Sequence, residues 1–167
     1  MKDAILLDWL RRICRVLKID ISEDKLKVFL QFLKFCAIGV SNLAIFYVIY
    51  VFVVSALRAI NFSRQWDFIA GNIIAWVLSV LWSFYWNELF VFGKGRRGAG
   101  RFKALLRTYA CYAFTGLFLN NVISWLWIDV WGGSTYAAPA VNLPISTPIN
   151  FLLNKLWAFG KSQEEKK

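Results

Sequence analysis

The side chains of this protein that could do chemistry are amides, hydroxyls and cations. Histidine is absent from all 167 residues. That excludes histidine-based acid–base catalysis, Ser-His-Asp and Cys-His nucleophiles, and most transition-metal sites. Cys14, Cys36 and Cys111 are far apart and in no CxxC spacing, so they read as small apolar residues. Asp67, Glu88 and Asp129 are scattered along the chain and form no acid pair. The expectation is a protein that is no enzyme and needs no cofactor or metal. What remains is asparagine and serine at steps of four. Gly71, Ala75, Ser79, Ser83 and Asn87 form one such stripe, and Ala138, Asn142, Ser146, Asn150 and Asn154 form another. Residues four apart are helix neighbours. Such a stripe either packs a second helix closely through small residues and amide hydrogen bonds or lines a polar seam.

The two stripes belong to a repeat. Asn87-Glu-Leu-Phe-Val-Phe-Gly-Lys94 matches Asn154-Lys-Leu-Trp-Ala-Phe-Gly-Lys161 at an offset of 67 residues. Phe35, Gly39 and Asn42 match Tyr112, Gly116 and Asn120 more weakly, with a slip of one residue.

The elements that must carry these residues are membrane spans. Hydrophobic residues make up 59% of the chain and charged residues 18%, an excess of apolar surface that a soluble domain of this size cannot bury. Four stretches lack charge: 35–57, 68–87, 108–128 and 130–154. Each is long enough to cross a bilayer as helix, and none alternates as a barrel strand does. The expected fold is an all-α integral membrane protein. Its four transmembrane helices form two tandem helical-hairpin repeats, about 32–94 and about 107–161, within a domain covering 28–161. The two copies run parallel, so inverted-repeat symmetry does not follow.

Residues 1–27 come before that domain and 162–167 come after it as a tail. In the first segment Ile5, Leu6, Trp9, Leu10, Ile13, Val16 and Leu17 share one helical face. Lys2, Asp3, Asp8, Arg11, Arg12, Arg15 and Lys18 share the other. That pattern predicts an interfacial amphipathic helix, with Ser22 capping the next helix. Of the 20 Lys and Arg residues, only Arg58 and Arg64 fall on one side of the four-span frame. The other side is therefore cytoplasmic and holds both termini and the basic 93–107 loop. The net charge of +10 points to a membrane surface, not to nucleic acid.

Eight asparagines fall within the spans: Asn42, Asn72, Asn87, Asn120, Asn121, Asn142, Asn150 and Asn154. Unpaired amides are costly in hydrocarbon, so their number predicts a polar pocket between the hairpins. Asn42 and Asn120 would lie deeper, and Asn87 and Asn154 near the cytoplasmic boundary. Pro139, Pro144 and Pro148 predict a bend, a hinge or a break in the fourth span. Glu88 and Lys155 hold equivalent positions in the two copies and are expected either to form an ion pair across the repeat interface or to face headgroups separately.

These motifs resemble a known family. Phe35-x-x-x-Gly39-x-x-Asn42 opening the first span, with Asn87-Glu-Leu-Phe-Val-Phe and Asn154-Lys-Leu-Trp-Ala-Phe closing the second and fourth, is similar to the GtrA-like family over roughly 30–161. The resemblance implies translocation of a polyprenyl-phosphate-linked sugar across the cytoplasmic membrane, for cell-surface polysaccharide synthesis. A membrane glycosyltransferase is the implied partner, and some relatives would instead act as its scaffold. Asn42, Asn87, Asn120, Asn150 and Asn154 would then contact the sugar headgroup, since amides suit hydroxyls. Lys155 and Arg107 would meet the phosphate. Membrane lipids are expected partners, and so is a second copy of the chain, because four helices enclose little space.

Overall fold

The computed structural model describes residues 6–12, 22–61, 66–93 and 99–160. Helix α1 covers 6–12, α2 Glu23–Ala59, α3 Asp67–Phe90 and α4 Ala99–Ala113. A wide π-helical stretch, Phe114–Leu119, joins α4 to α5 (Asn120–Trp125), and a second, Leu126–Val130, comes after it. After the short turn Thr135–Ala137 comes α6 (Ala138–Leu153), which continues as a third wide stretch, Asn154–Ala158. No strand occurs among the described residues.

Three helices are long and apolar enough to cross a membrane: Glu23–Ala59, Asp67–Phe90 and the continuous Gly100–Val130. They contain the first three expected spans, and the chain is a multi-pass membrane protein. The fourth expected span, 130–154, is different. The chain turns at 131–137, and the helix begins at Ala138. Asn142, Ser146, Thr147, Asn150, Asn154, Lys155 and the prolines dilute its apolar content, so it does not reach the hydropathy of the other three.

The packing is in two hairpins. Helix α2 runs against α3 for much of its length, and α5 packs on α6 while α4 packs on Asn154–Ala158. Between hairpins, α3 meets α4, whereas α2 touches α6 only lightly. The first stripe explains the tight α2–α3 crossing. Gly71, Ala75, Ser79, Ser83 and Asn87 are all buried. A Cβ on Gly71 would come within 2.6 Å of Val54 Cγ2 and 3.3 Å of the Tyr50 ring, so only glycine admits that approach. Arg58, at the end of α2, closes the crossing with a 2.6 Å ion pair to the buried Asp67.

Helix α1 docks on the start of α2. Leu10 is buried against Leu26 and Leu30, with Leu7 beside them, and Arg11 pairs with Asp8 and Glu23. Trp9 and Leu6 stay exposed. The remaining residues of the expected amphipathic face, Ile5, Ile13, Val16 and Leu17, lie outside the described residues, as do Arg64, Lys94, Arg96, Arg97 and the tail from 161. Ser22 stands at the N-cap with extended backbone but makes no side-chain capping bond. Glu23 and Asp24 supply the favourable negative charge of the first turn instead.

No break appears in α6. Pro139 sits in the first turn, where its missing N–H has no partner to lose, and the helix runs unbroken through Pro144 and Pro148 to Leu153.

Candidate functional site

A cavity of about 680 Å³ opens between the two hairpins. It lies where α2 and α6 diverge. Asn42 on α2, Asn120 at the head of α5 and Asn150 on α6 all line it, with Ser79, Tyr112, Ser146 and Thr147. Three of the five asparagines expected at the headgroup are therefore brought together. The side-chain oxygens of Asn42 and Asn120 are buried and have no hydrogen-bond partner among the described residues. The side-chain oxygens of Asn87 and Asn142, which do not line the cavity, are buried without a partner among the described residues in the same way.

Two glycines make the space. Gly39 and Gly116 both line the cavity, and a Cβ on either would meet nothing within 4 Å. Their role is opposite to that of Gly71, which packs against a helix. The one-residue slip between the repeats is resolved here. Gly39 and Asn42 are three apart on a regular helix, while Gly116 and Asn120 are four apart. One added residue would swing everything beyond it by about 100° on a regular helix. The wide turn Phe114–Leu119 absorbs it: the Asn120 N–H bonds to the Thr115 carbonyl, five residues back. The Thr115 hydroxyl donates to the carbonyls of Cys111 (2.9 Å) and Tyr112 (3.3 Å). Asn120 thus still faces the cavity opposite Asn42.

Asn87 and Asn154 do not line the cavity. They are 2% and 1% exposed, packed behind it in the protein interior, and act on the lining residues. Asn154 Nδ2 donates to the carbonyl and the side-chain oxygen of Asn150, at 2.9 and 3.0 Å. Asn87 Nδ2 donates to Ser83 Oγ at 3.1 Å, and Ser83 Oγ lies 2.6 Å from the Tyr112 hydroxyl. The repeated asparagines therefore position Asn150 and Tyr112. The other amides divide. Asn142 Nδ2 bonds Ser124 Oγ at 2.9 Å, while Asn72 and Asn121 are exposed, Asn121 bonding back to the Leu117 carbonyl.

The expected Glu88–Lys155 ion pair does not form. Glu88 Oε2 accepts from Arg101 Nε at 2.8 Å, because the head of α4 folds back beside the end of α3. Lys155 points to the other side and donates to Gln31 Oε1 of α2 at 2.9 Å, with its ammonium 5.7 Å from the Phe151 ring centre. Arg107 donates to the Trp157 carbonyl at 3.1 Å and lies over the Trp157 ring. Neither cation lines the cavity.

What joins the repeats at this end is aromatic. The motif phenylalanines Phe92 and Phe159 stack with centres 4.5 Å apart. Each is placed the same way: the Phe92 N–H bonds the Asn87 carbonyl and the Phe159 N–H bonds the Asn154 carbonyl, both five residues back. Phe35 and Phe151 extend the pile, 5.5 Å apart, and Phe35 reaches the cavity wall.

The stripes missed some lining residues. Cys36, Gly39, Val40 and Leu43 line the cavity from one face of α2 at helical spacing, a pattern hidden in an apolar background. Thr147 had no signal beyond its neighbour Ser146.

Fold and site together define a small helical membrane protein of packed hairpins with an uncharged, mainly apolar cavity between them that carries a few amides and hydroxyls. The family described as GtrA/DPMS, transmembrane domain, matches residues 34–159. The chain belongs to this family, as its motifs suggested. No curated protein matches it.

Proposed function

We propose that the protein passes the sugar headgroup of a polyprenyl-phosphate-linked sugar across the cytoplasmic membrane, without transforming it. The observation that supports this best is the cavity, a mainly apolar space with amides and hydroxyls from both hairpins in its lining. Polar recognition groups in an otherwise apolar concave site are the usual form of a small-ligand pocket. In this reading α6 with Asn154–Ala158 is the fourth span, both termini face the cytoplasm, and the lipid tail remains in the bilayer beside α2 and α6. The exposed side chains of Val40, Leu43 and Leu143 border the cavity there. Lys155 and Arg107 would serve the phosphate from outside the cavity, and a membrane glycosyltransferase would supply the substrate.

The test is transport in vesicles that contain the purified protein alone. Labelled polyprenyl-phosphate sugar should cross faster than in empty vesicles, and Asn42→Ala with Asn120→Ala should remove most of the gain. No acceleration by a folded protein sinks the proposal. The scaffold reading has its own observation: α1 is pinned to α2 through Leu10 while Trp9 and Leu6 remain exposed. Transferase recruitment that persists without transport would favour it.

A further inference from the structure

We propose that the cavity is a subsite for an uncharged, hydroxyl-rich sugar ring and takes no part in holding phosphate. This rests on the reading of the cavity as a sugar site and narrows what that site accepts. None of its described lining residues carries a charge. An ion brought there would lose its hydration and meet no counter-charge, a loss that neutral dipoles recover poorly.

The polar groups facing the cavity suit hydroxyls. Asn42, Asn120 and Asn150 line it together with Ser79, Tyr112, Ser146 and Thr147. A sugar hydroxyl can donate to an amide oxygen and accept from a neighbouring amide or threonine. Phe46 and Trp76 add aromatic surface to the lining, which suits the C–H face of a sugar ring. The cations lie behind a barrier. Lys155 sits over Phe151, Phe151 packs edge-on against Phe35, and only Phe35 reaches the cavity. Two rings therefore separate that ammonium from the space where the sugar would sit.

Cys36 lines the cavity and gives a readout that does not depend on transport. The wild-type protein in lipid nanodiscs would be treated with a neutral maleimide, and modification of Cys36 followed by peptide mass spectrometry. Cys111, 1% exposed, serves as the internal unreactive control. The probes are a short-chain alkyl hexoside, the hexuronide and amino-hexoside with the same chain, and inorganic phosphate. The hexoside should slow Cys36 modification about tenfold at a concentration where the two charged glycosides and phosphate change it less than about twofold. Equal slowing by all three glycosides would mean that the alkyl chain alone fills the space, and would overturn the selectivity. No slowing by any glycoside would overturn the subsite itself. Vesicle transport run in parallel separates the two ideas. Transport without Cys36 protection removes the subsite and leaves translocation standing; protection without transport does the reverse.

Discussion

Two regions of the bundle use the same residue types to opposite ends. At the motif end, Asn87 and Asn154 are enclosed and donate to neighbours one turn back, beneath a pile of phenylalanine rings. In the cavity, Asn42 and Asn120 stand beside Gly39 and Gly116, and their oxygens have nothing to accept from among the described residues. The amide does not decide its own role. At the motif end the amide nitrogen bonds a neighbour one turn back, and in the cavity the residue lies beside a glycine that leaves the wall open. The motif end is thus the closely packed part of the bundle and the cavity its open part.

The sharpest way to break this contrast is to exchange space for side chain at matched glycines. Gly71→Leu must push Val54 and Tyr50 aside and should cost about 3 kcal/mol or more, read as loss of folded protein on thermal unfolding in detergent. At Gly116 an added Cβ would meet no atom within 4 Å, which leaves room for Gly116→Leu. That variant should fold at least as well as the parent, because leucine is the better helix former, and yet abolish vesicle transport. If both unfold the protein equally, the cavity is not open space.

A smaller effect separates the asparagines. Asn154→Ala removes two bonds to Asn150 and should cost about 1–2 kcal/mol. Asn42→Ala should shift stability by less than about 0.5 kcal/mol, while transport falls. The reverse ranking would exchange the roles assigned to the two regions.

The smallest effect concerns the charges. Reversing Glu88 alone should cost about 1 kcal/mol, since Arg101 is half exposed. Reversing Glu88 and Arg101 together should restore most of that loss. Reversing Glu88 and Lys155 together should restore none, because Lys155 faces Gln31.

How much of the fold and site is legible in the sequence depends on what each signal measures. Charge-free runs report hydration cost, and they locate the first three spans. They overrun α6, because the break at Trp131–Gly133 contains no charge to end the run. Four-step spacing reports a helix face and places Asn150 with Ser146, while Asn42 and Asn120 enter through the weaker match of Phe35, Gly39 and Asn42 to Tyr112, Gly116 and Asn120. Spacing does not say how far an amide sits from a neighbouring ring, so it puts Asn87 and Asn154 at the headgroup when they stand behind it. Equivalence in a repeat suggests a Glu88–Lys155 contact. Side-chain direction at the end of each hairpin depends on the next element of the chain, and only the first hairpin leads into α4.

The wide turn at Phe114–Leu119 has a consequence for how such a molecule comes to exist. A gene segment that is duplicated and then gains a codon in one copy would normally lose the correspondence between its halves. Here the insertion is swallowed within a single turn, and both amides stay on the wall of the same chamber.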